Sequence, residues 1–451
     1  MSRGTFGSRL GIILATAGSA VGLGNVWRFP FMTGQNGGAA FIIVYFACVL
    51  LLGIPGMISE FLVGRHSQSN AARAYGVFGH RHGWRFIGYL GILTSTIILG
   101  FYAVVAGWCV QYLVASIGGR LNGDMSYVVR YFQEFSSNPV YPSLWAVAFI
   151  MVTHMVIVRG VRGGIERASK VLMPTLFVLL LVIVVASCML PGAMEGVKFL
   201  LWPDFTKLSH SVFLEALGQA FFSLSLGTAC LCTYASYFSR ETDLTRSAVQ
   251  IALLDSLIAI LAGLMIFPAA FSVGVMPDAG PSLIFITLPN VFQQAFSAMP
   301  AVGYVVSVLF YALLVFAALT STISMHEIGT AFFHEELKQD RSRAAWIVTG
   351  VCSVIAVLCS LSVGAADIRV LGRPLMDFCD FLTAQFMLPL GALLTSVLVG
   401  WFASRQLVRD EFYAGQPVSS ARRVFHVYLF CVKYVVPVCI VLIFLHQFNI
   451  L

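Results

Sequence analysis

Ala17-Gly18-Ser19-Ala20-Val21-Gly22-Leu23-Gly24-Asn25-Val26-Trp27-Arg28-Phe29-Pro30 is the stretch that decides how this chain folds. It lies inside the first long apolar segment, yet it holds three glycines, an asparagine, an arginine and a proline. A helix that only crossed lipid would be rich in leucine and valine there. Irregular backbone at membrane depth persists only where it is buried in protein or lines a cavity. Broken helices of this kind turn their freed amides and carbonyls toward a ligand or an ion. The stretch is a candidate binding site built from backbone, with Asn25 and Arg28 as its polar additions.

Outward from this stretch, apolar segments recur at about 8–32, 39–63, 86–117, 143–159, 168–190, 212–238, 246–275, 301–333, 344–364, 375–404 and 422–448, eleven in all. Hydrophobic residues make up 59% of the 451 positions and charged residues 10%. That balance, with runs of spanning length, specifies an all-α polytopic membrane protein rather than a soluble fold. The net charge of +7 resides in short connections between spans and does not imply nucleic acid. Alternate connections, beginning with 64–85, carry seventeen Lys and Arg residues, and the opposite set carries six. By the positive-inside rule the N-terminus is cytoplasmic, and the odd span count puts the C-terminus outside. The start at Met1-Ser2-Arg3 lacks the pattern of a cleavable signal peptide. Ten cysteines, scattered singly through apolar segments, read as small buried hydrophobes. Cys230 and Cys232 have no histidine or acidic partner at metal spacing, and no disulfide framework is readable.

The sixth segment is also interrupted, at Ser223-Leu224-Ser225-Leu226-Gly227-Thr228-Ala229. Interruptions five spans apart place two halves in opposite orientations, a pointer to an inverted repeat with its site at the midplane. The chain reads as one transporter-like domain: a first repeat over 1–190, a second over 212–405, and an extra eleventh helix over 422–448. The connection Pro281–Pro289 is too apolar for free solvent; it dips back as a lid or lies on the surface as a helix.

Several polar residues stand out against this background. Leu319-Thr320-Ser321-Thr322 places adjacent hydroxyls on a buried helix, where such groups bond back to their own carbonyls or join helices. Beside a broken span, the same hydroxyls with carbonyl oxygens make a dry oxygen cage suited to a hard monovalent cation. Asp255 lies well inside the seventh segment, where an unpaired carboxylate costs about 2.5–3.5 kcal/mol on the insertion scale and marks a functional site by default. Asp377 and Asp380 begin the tenth segment, and Arg28 ends the first, so a pair across an outer vestibule is a static tie or a gate. Arg3 and Glu335 offer a similar pair inside. Glu60 and Glu327 read as bonded to backbone at helix interfaces, and Tyr102 as a ring at mid-depth. No nucleophile–base or metal constellation suggests an enzyme, and two unlike breaks in one asymmetric chain argue against a channel.

The motif from Ala17 to Pro30, preceded by Arg9-Leu10-Gly11, resembles that of the neurotransmitter:sodium symporter family. Asn36-Gly37-Gly38, Gly53-Ile54-Pro55, Gln219–Gly227, Thr233–Tyr237 and Leu319-Thr320-Ser321 extend the resemblance over nearly the whole chain. Eleven spans resemble the shorter bacterial branch, which includes leucine, tyrosine and hydrophobic-amino-acid transporters. The resemblance implies a symporter of the bacterial cytoplasmic membrane that takes up an amino acid with two sodium ions by alternating access, with no organic cofactor and lipid as its surroundings. A non-transporting amino-acid receptor on the same fold stays open.

Site roles are likewise what the resemblance implies. One sodium ion would take carbonyls of Gly18, Val21 and Ala317 with hydroxyls of Thr320 and Ser321. The other would take the Ala20 carbonyl, Asn25, Ser223 and Asp255, completed by the substrate carboxylate. Leu23 and Gly24 amides and the Tyr102 hydroxyl would hold that carboxylate. Carbonyls of Ala20, Phe222 and Ser223, with the Ser225 hydroxyl, would hold the ammonium. Ser19, Ile98, Phe222, Thr228, Ser321, Ser324 and Met325 would surround the side chain; none is charged, which implies a neutral, apolar or aromatic amino acid. Gly22 stands where monoamine carriers have aspartate, leaving room for a substrate carboxylate. Arg28 with Asp380 would form the outer gate, and Arg3 with Glu335 and Tyr237 the inner one. Departures from the family pattern carry further expectations. Asp255 replaces a common asparagine and Ala259 a hydroxyl, implying independence of chloride. Ala229 replaces a glycine, implying less unwinding of the sixth helix. Phe6 replaces a tryptophan, implying a looser inner gate.

Overall fold

The computed structural model describes residues 5–275, 283–416 and 418–447. Arg3, Pro281, Ser282 and the C-terminus therefore lie outside the described residues. Among the described residues, nine helices are long and apolar enough to cross a membrane: Ala39–Ser67, His82–Ile117, Tyr141–Val158, Val161–Cys188, Leu244–Ser272, Pro300–Glu336, Arg341–Ser362, Leu375–Phe402 and Arg422–Gln447. A tenth crossing is the pair Arg9–Ala20 and Gly24–Gln35, bent by 55°. The interrupted segment formed by His210–Ser223 and Cys230–Ala235 completes the eleven-span order and falls short of spanning length only because it is broken. Spans are numbered 1 to 11 in chain order below.

Span 1 starts cleanly because the Ser8 side chain accepts from the Gly11 amide and caps the first turn. It stops at Val21, whose backbone is extended (φ −72°, ψ 108°), and resumes as a wider turn over Gly24–Arg28. Span 6 breaks differently. Ser225, Gly227 and Ala229 all adopt positive φ, at 54°, 82° and 59°. Ala229 was expected to limit the unwinding; instead it takes the left-handed conformation itself and begins the second half-helix.

Spans 3, 4, 8 and 9 pack on one another. Span 2 packs against spans 6 and 7, and span 7 against both halves of span 1. The two breaks thus face each other where these groups meet. The connection after span 7 does dip into the protein: Leu283, Ile284 and Phe285 are fully buried, and the Tyr311 hydroxyl of span 8 donates to the Ile284 carbonyl at 2.8 Å. A two-residue hairpin, Arg369–Val370 against Arg373–Pro374, joins spans 9 and 10.

Candidate functional site

The unwound backbone of span 1 is held by its own asparagine. The Gly22 amide donates to Asn25 Oδ1 at 3.2 Å, while Asn25 Nδ2 donates to Asp255 Oδ1 at 2.7 Å and to the Asp255 carbonyl at 3.2 Å. The Ser223 hydroxyl, at the edge of the span 6 break, donates to Asp255 Oδ2 at 2.6 Å, and Tyr45 of span 2 donates to the same oxygen at 3.3 Å. Asp255 is fully buried, and its hydrogen-bonding partners Ser223, Asn25 and Tyr45 are all neutral. A buried carboxylate supported only by neutral donors still lacks a counter-charge. A small cation beside Asn25, Ser223 and Asp255 would supply one, and the oxygen donors suit sodium.

A second oxygen cluster lies on the other side of the span 1 break. Thr320 Oγ1 is 3.3 Å from the Val21 carbonyl and 2.9 Å from that of Ala317, and Ser321 Oγ is 3.4 Å from the Val21 carbonyl. Gly18 permits this approach: a Cβ there would come within 3.3 Å of Thr320 Cβ. Thr322 and Ser324 bond back to the Leu319 and Ser321 carbonyls, so helix back-bonding and an oxygen cage coexist on one span.

Between the clusters is a cavity of about 70 Å³ whose wall includes Ser19, Ala20, Gly22, Gly24, Tyr102 and Ser223. Ile98, Phe222, Ser225, Thr228, Ser321, Ser324 and Met325 line it too, so the expected side-chain pocket is assembled in one place. None of its lining residues carries a charged side chain. The Leu23 amide donates to the Tyr102 hydroxyl at 3.1 Å, and the Ser225 hydroxyl to the Ser19 carbonyl at 3.2 Å. A Cβ on Gly22 would meet Ser321 Oγ at 2.5 Å and the Tyr102 hydroxyl at 3.0 Å, and one on Gly24 would meet Phe222 at 2.8 Å. Glycine at both positions lets backbone approach hydroxyl and ring directly.

Sequence reasoning missed Phe101, Cys230, Thr383 and Leu388 in this wall. The last two reach it because span 10 widens to a π-turn over Leu382–Met387, a device frequent at functional sites but without a residue signature beyond Pro389 just after it. Gln219, the first residue of the Gln219–Gly227 motif, is fully buried, and neither atom of its amide is paired among the described residues. It lies one turn before Ser223. Glu60 behaves as expected of a backbone tie: its carboxylate accepts from the amides of Gly227 at 2.8 Å and Cys232 at 3.3 Å, across the span 6 break.

The Arg28 guanidinium lies over the Phe222 ring, 4.3 Å from its centroid, and Asp380 is the first of the carboxylates whose charge acts on it, without direct ion-pair contact. This stack roofs the cavity, and outside it Arg28 lines a vestibule of about 80 Å³ with Glu215, Gln385 and His446. On the inner side, the Tyr237 hydroxyl donates to Glu327 Oε1 at 2.7 Å. Glu327, expected to bind backbone, forms a two-pronged ion pair with Arg341 at 3.1 and 2.5 Å. An intramembrane carboxylate is best compensated by a fixed guanidinium, and Arg341 at the start of span 9 reaches it. Glu335 accepts from the Asn70 amide and side chain at 2.7 and 3.2 Å. Phe6 packs edge-on against Tyr234 and Tyr237 with centroids 6.0 and 6.1 Å away.

With this geometry in place, comparison with known proteins is decisive. The profile of the sodium:neurotransmitter symporter family matches residues 3–134 and 142–450. The chain belongs to that family. It is 38% identical over 447 residues to the uncharacterised sodium-dependent transporter YhdH of Bacillus subtilis, covering 98% of this chain and 97% of that one. It is 24% identical to the human sodium- and chloride-dependent GABA transporter 2 over 89% of this chain and 73% of the relative. Among solved structures, MhsT in complex with L-phenylalanine superposes with a TM-score of 0.88 at 37% identity, covering 98% of this chain and 99% of that one. This family member is a sodium-dependent membrane transporter, not an enzyme.

Proposed function

We propose that this symporter takes up a neutral α-amino acid with an apolar or aromatic side chain, coupled to two sodium ions and without chloride, by alternating access. The observation that carries the reading is Asp255, a buried carboxylate with only neutral partners, next to an uncharged cavity walled by unwound backbone. One sodium ion binds at Ala20, Asn25, Ser223 and Asp255 and is completed by the substrate carboxylate. The other binds at Gly18, Val21, Ala317, Thr320 and Ser321. Because the first ion contacts both protein and substrate, losing it removes the counter-charge of the substrate in a low-dielectric site, where the loss is large.

In this reading the substrate carboxylate takes the Leu23 and Gly24 amides, with the Tyr102 hydroxyl turning from acceptor to donor. Its ammonium takes the carbonyls of Ala20, Phe222 and Ser223 with the Ser225 hydroxyl. The lining from Ser19 to Met325 selects an apolar side chain, and the bound L-phenylalanine of the related MhsT supports that class. Residues 1–190 and 212–405 form the two inverted repeats that rock about this site. The N-terminus faces the cytoplasm and the C-terminus the outside of a bacterial cytoplasmic membrane.

A thermal-shift screen of the twenty amino acids in sodium and in potassium tests the reading. Stabilisation by one group of apolar or aromatic amino acids, in sodium only, is expected. Binding without sodium-driven accumulation in proteoliposomes would favour a receptor. Replacing chloride by gluconate should leave uptake intact, since the Asp255 charge does the balancing. A strict chloride requirement would overturn that part and direct attention to the unpaired amide of Gln219.

A further inference from the structure

Two of the ten cysteine thiols meet. Cys359 lies three residues before the end of span 9 at Ser362, and Cys379 four residues after span 10 begins at Leu375. The spans run antiparallel from their hairpin, and the Met376 amide of span 10 donates to Ser362 Oγ of span 9 at 3.1 Å. Three residues back on one helix and three forward on the other is one turn further along the same faces. That register sets the Cys359 and Cys379 thiols side by side, close enough to act on each other. Asp377 and Asp380, on the same turns as Cys379, are exposed on the protein surface.

We propose that Cys359 and Cys379 form a reversible disulfide that staples the outer end of span 10 to span 9. The reaction is thiol–disulfide exchange with a small-molecule disulfide such as oxidised glutathione. Cys379 is 9% exposed and Cys359 0%, so the Cys379 thiolate attacks first and displaces one glutathione thiolate. The Cys359 thiolate then attacks the Cys379 sulfur of the mixed disulfide and displaces the second. Two protons leave the protein, and the two electrons are carried away in two reduced glutathione molecules. Span 9 packs on spans 3, 4 and 8, whereas span 10 carries Asp380 and, within and just after its widened turn, Thr383 and Leu388 in the cavity wall. The disulfide fixes that wall to the span 3–4–8–9 group and restrains the outer entrance.

The restraint on uptake rests on the proposed transport function, whereas the bond itself does not. The full chain in proteoliposomes is treated with oxidised glutathione, alkylated, digested without reductant and mapped by mass spectrometry. A cross-linked peptide containing Cys359 and Cys379, two hydrogens lighter than its parts and abolished by dithiothreitol, is expected. Sodium-driven uptake should fall several-fold on oxidation and recover on reduction, and Cys359→Ala and Cys379→Ala proteins should not respond. Glutathione remaining on Cys379, or both thiols alkylated after oxidant treatment, overturns the proposal. A cross-link without change in uptake overturns the restraint. Absence of sodium-driven uptake before any oxidation, with the cross-link forming, counts instead against the transport reading.

Discussion

The breaks in spans 1 and 6 do the same job with different residues. In span 1 the backbone opens at Gly22 and Gly24, where no side chain would fit: hydroxyls of Ser321 and Tyr102 and the ring of Phe222 occupy the space. In span 6 two of the three residues with positive φ, Ser225 and Ala229, are not glycine. Such residues pay roughly 1–2 kcal/mol for the left-handed conformation and keep it only when their surroundings impose it. Glu60 is the imposing partner, holding the amides of Gly227 and Cys232 on either side of Ala229. One break is thus written in its own sequence, and the other is enforced by a carboxylate from span 2.

Asp255 joins the two, bonding Asn25 of the first break and Ser223 of the second, so its loss should have the largest effect. Asp255→Asn keeps the shape and removes the charge; sodium affinity, read by sodium-dependent thermal shift, should fall at least about tenfold, or about 1.4 kcal/mol. Unchanged affinity would uncouple the breaks from the ion. Gly22→Ala, which puts a Cβ 2.5 Å from Ser321 Oγ, should abolish amino-acid binding in a scintillation-proximity assay while leaving a folded protein.

Smaller effects sharpen the contrast. Glu60→Gln leaves one amide of the span 6 break without its acceptor and should cost about 1–3 kcal/mol, seen as a lowered unfolding temperature. Ala229→Gly relieves the positive φ, and should raise stability by up to about 1 kcal/mol once the added freedom of the unfolded chain is subtracted.

The smallest effect concerns the inner end of span 2, which positions Glu60. Arg65 Nε bonds Glu411 Oε2 at 3.2 Å, and His66 Nδ1 lies 3.1 Å from Glu411 Oε1. Burial by itself would raise the Glu411 pKa, but the His66 hydrogen bond and the Arg65 charge outweigh it and hold the carboxyl below its ordinary 4.5. A depressed carboxylate contributes stability that is present above its unfolded pKa and lost as pH falls through the folded one. The unfolding temperature of wild type should exceed that of Glu411→Gln at neutral pH, with the gap closing below about pH 4.

The contrast between the breaks also explains what was readable in the sequence. Glycines, a proline and an asparagine inside an apolar run mark span 1 directly, and the hydroxyls of span 8 and the carboxylate of span 7 stand out against lipid-compatible neighbours. Ala229 carries no such mark, because its conformation depends on Glu60, more than 160 residues away in sequence. The same holds for Tyr237, one of whose partners, Glu327, is placed by Arg341, and for Arg28, which lies over the face of Phe222. Thr383 enters the cavity through a widened turn that composition does not encode.

In the proposed function, Asp255 and the unwound backbone bind sodium and an amino acid as one unit. Its most direct test is binding of radiolabelled L-phenylalanine, or of the apolar amino acid found by screening, to purified protein as sodium is titrated against potassium at constant ionic strength. Saturable binding that rises with sodium and vanishes in potassium is expected. Equal binding in both salts would contradict it.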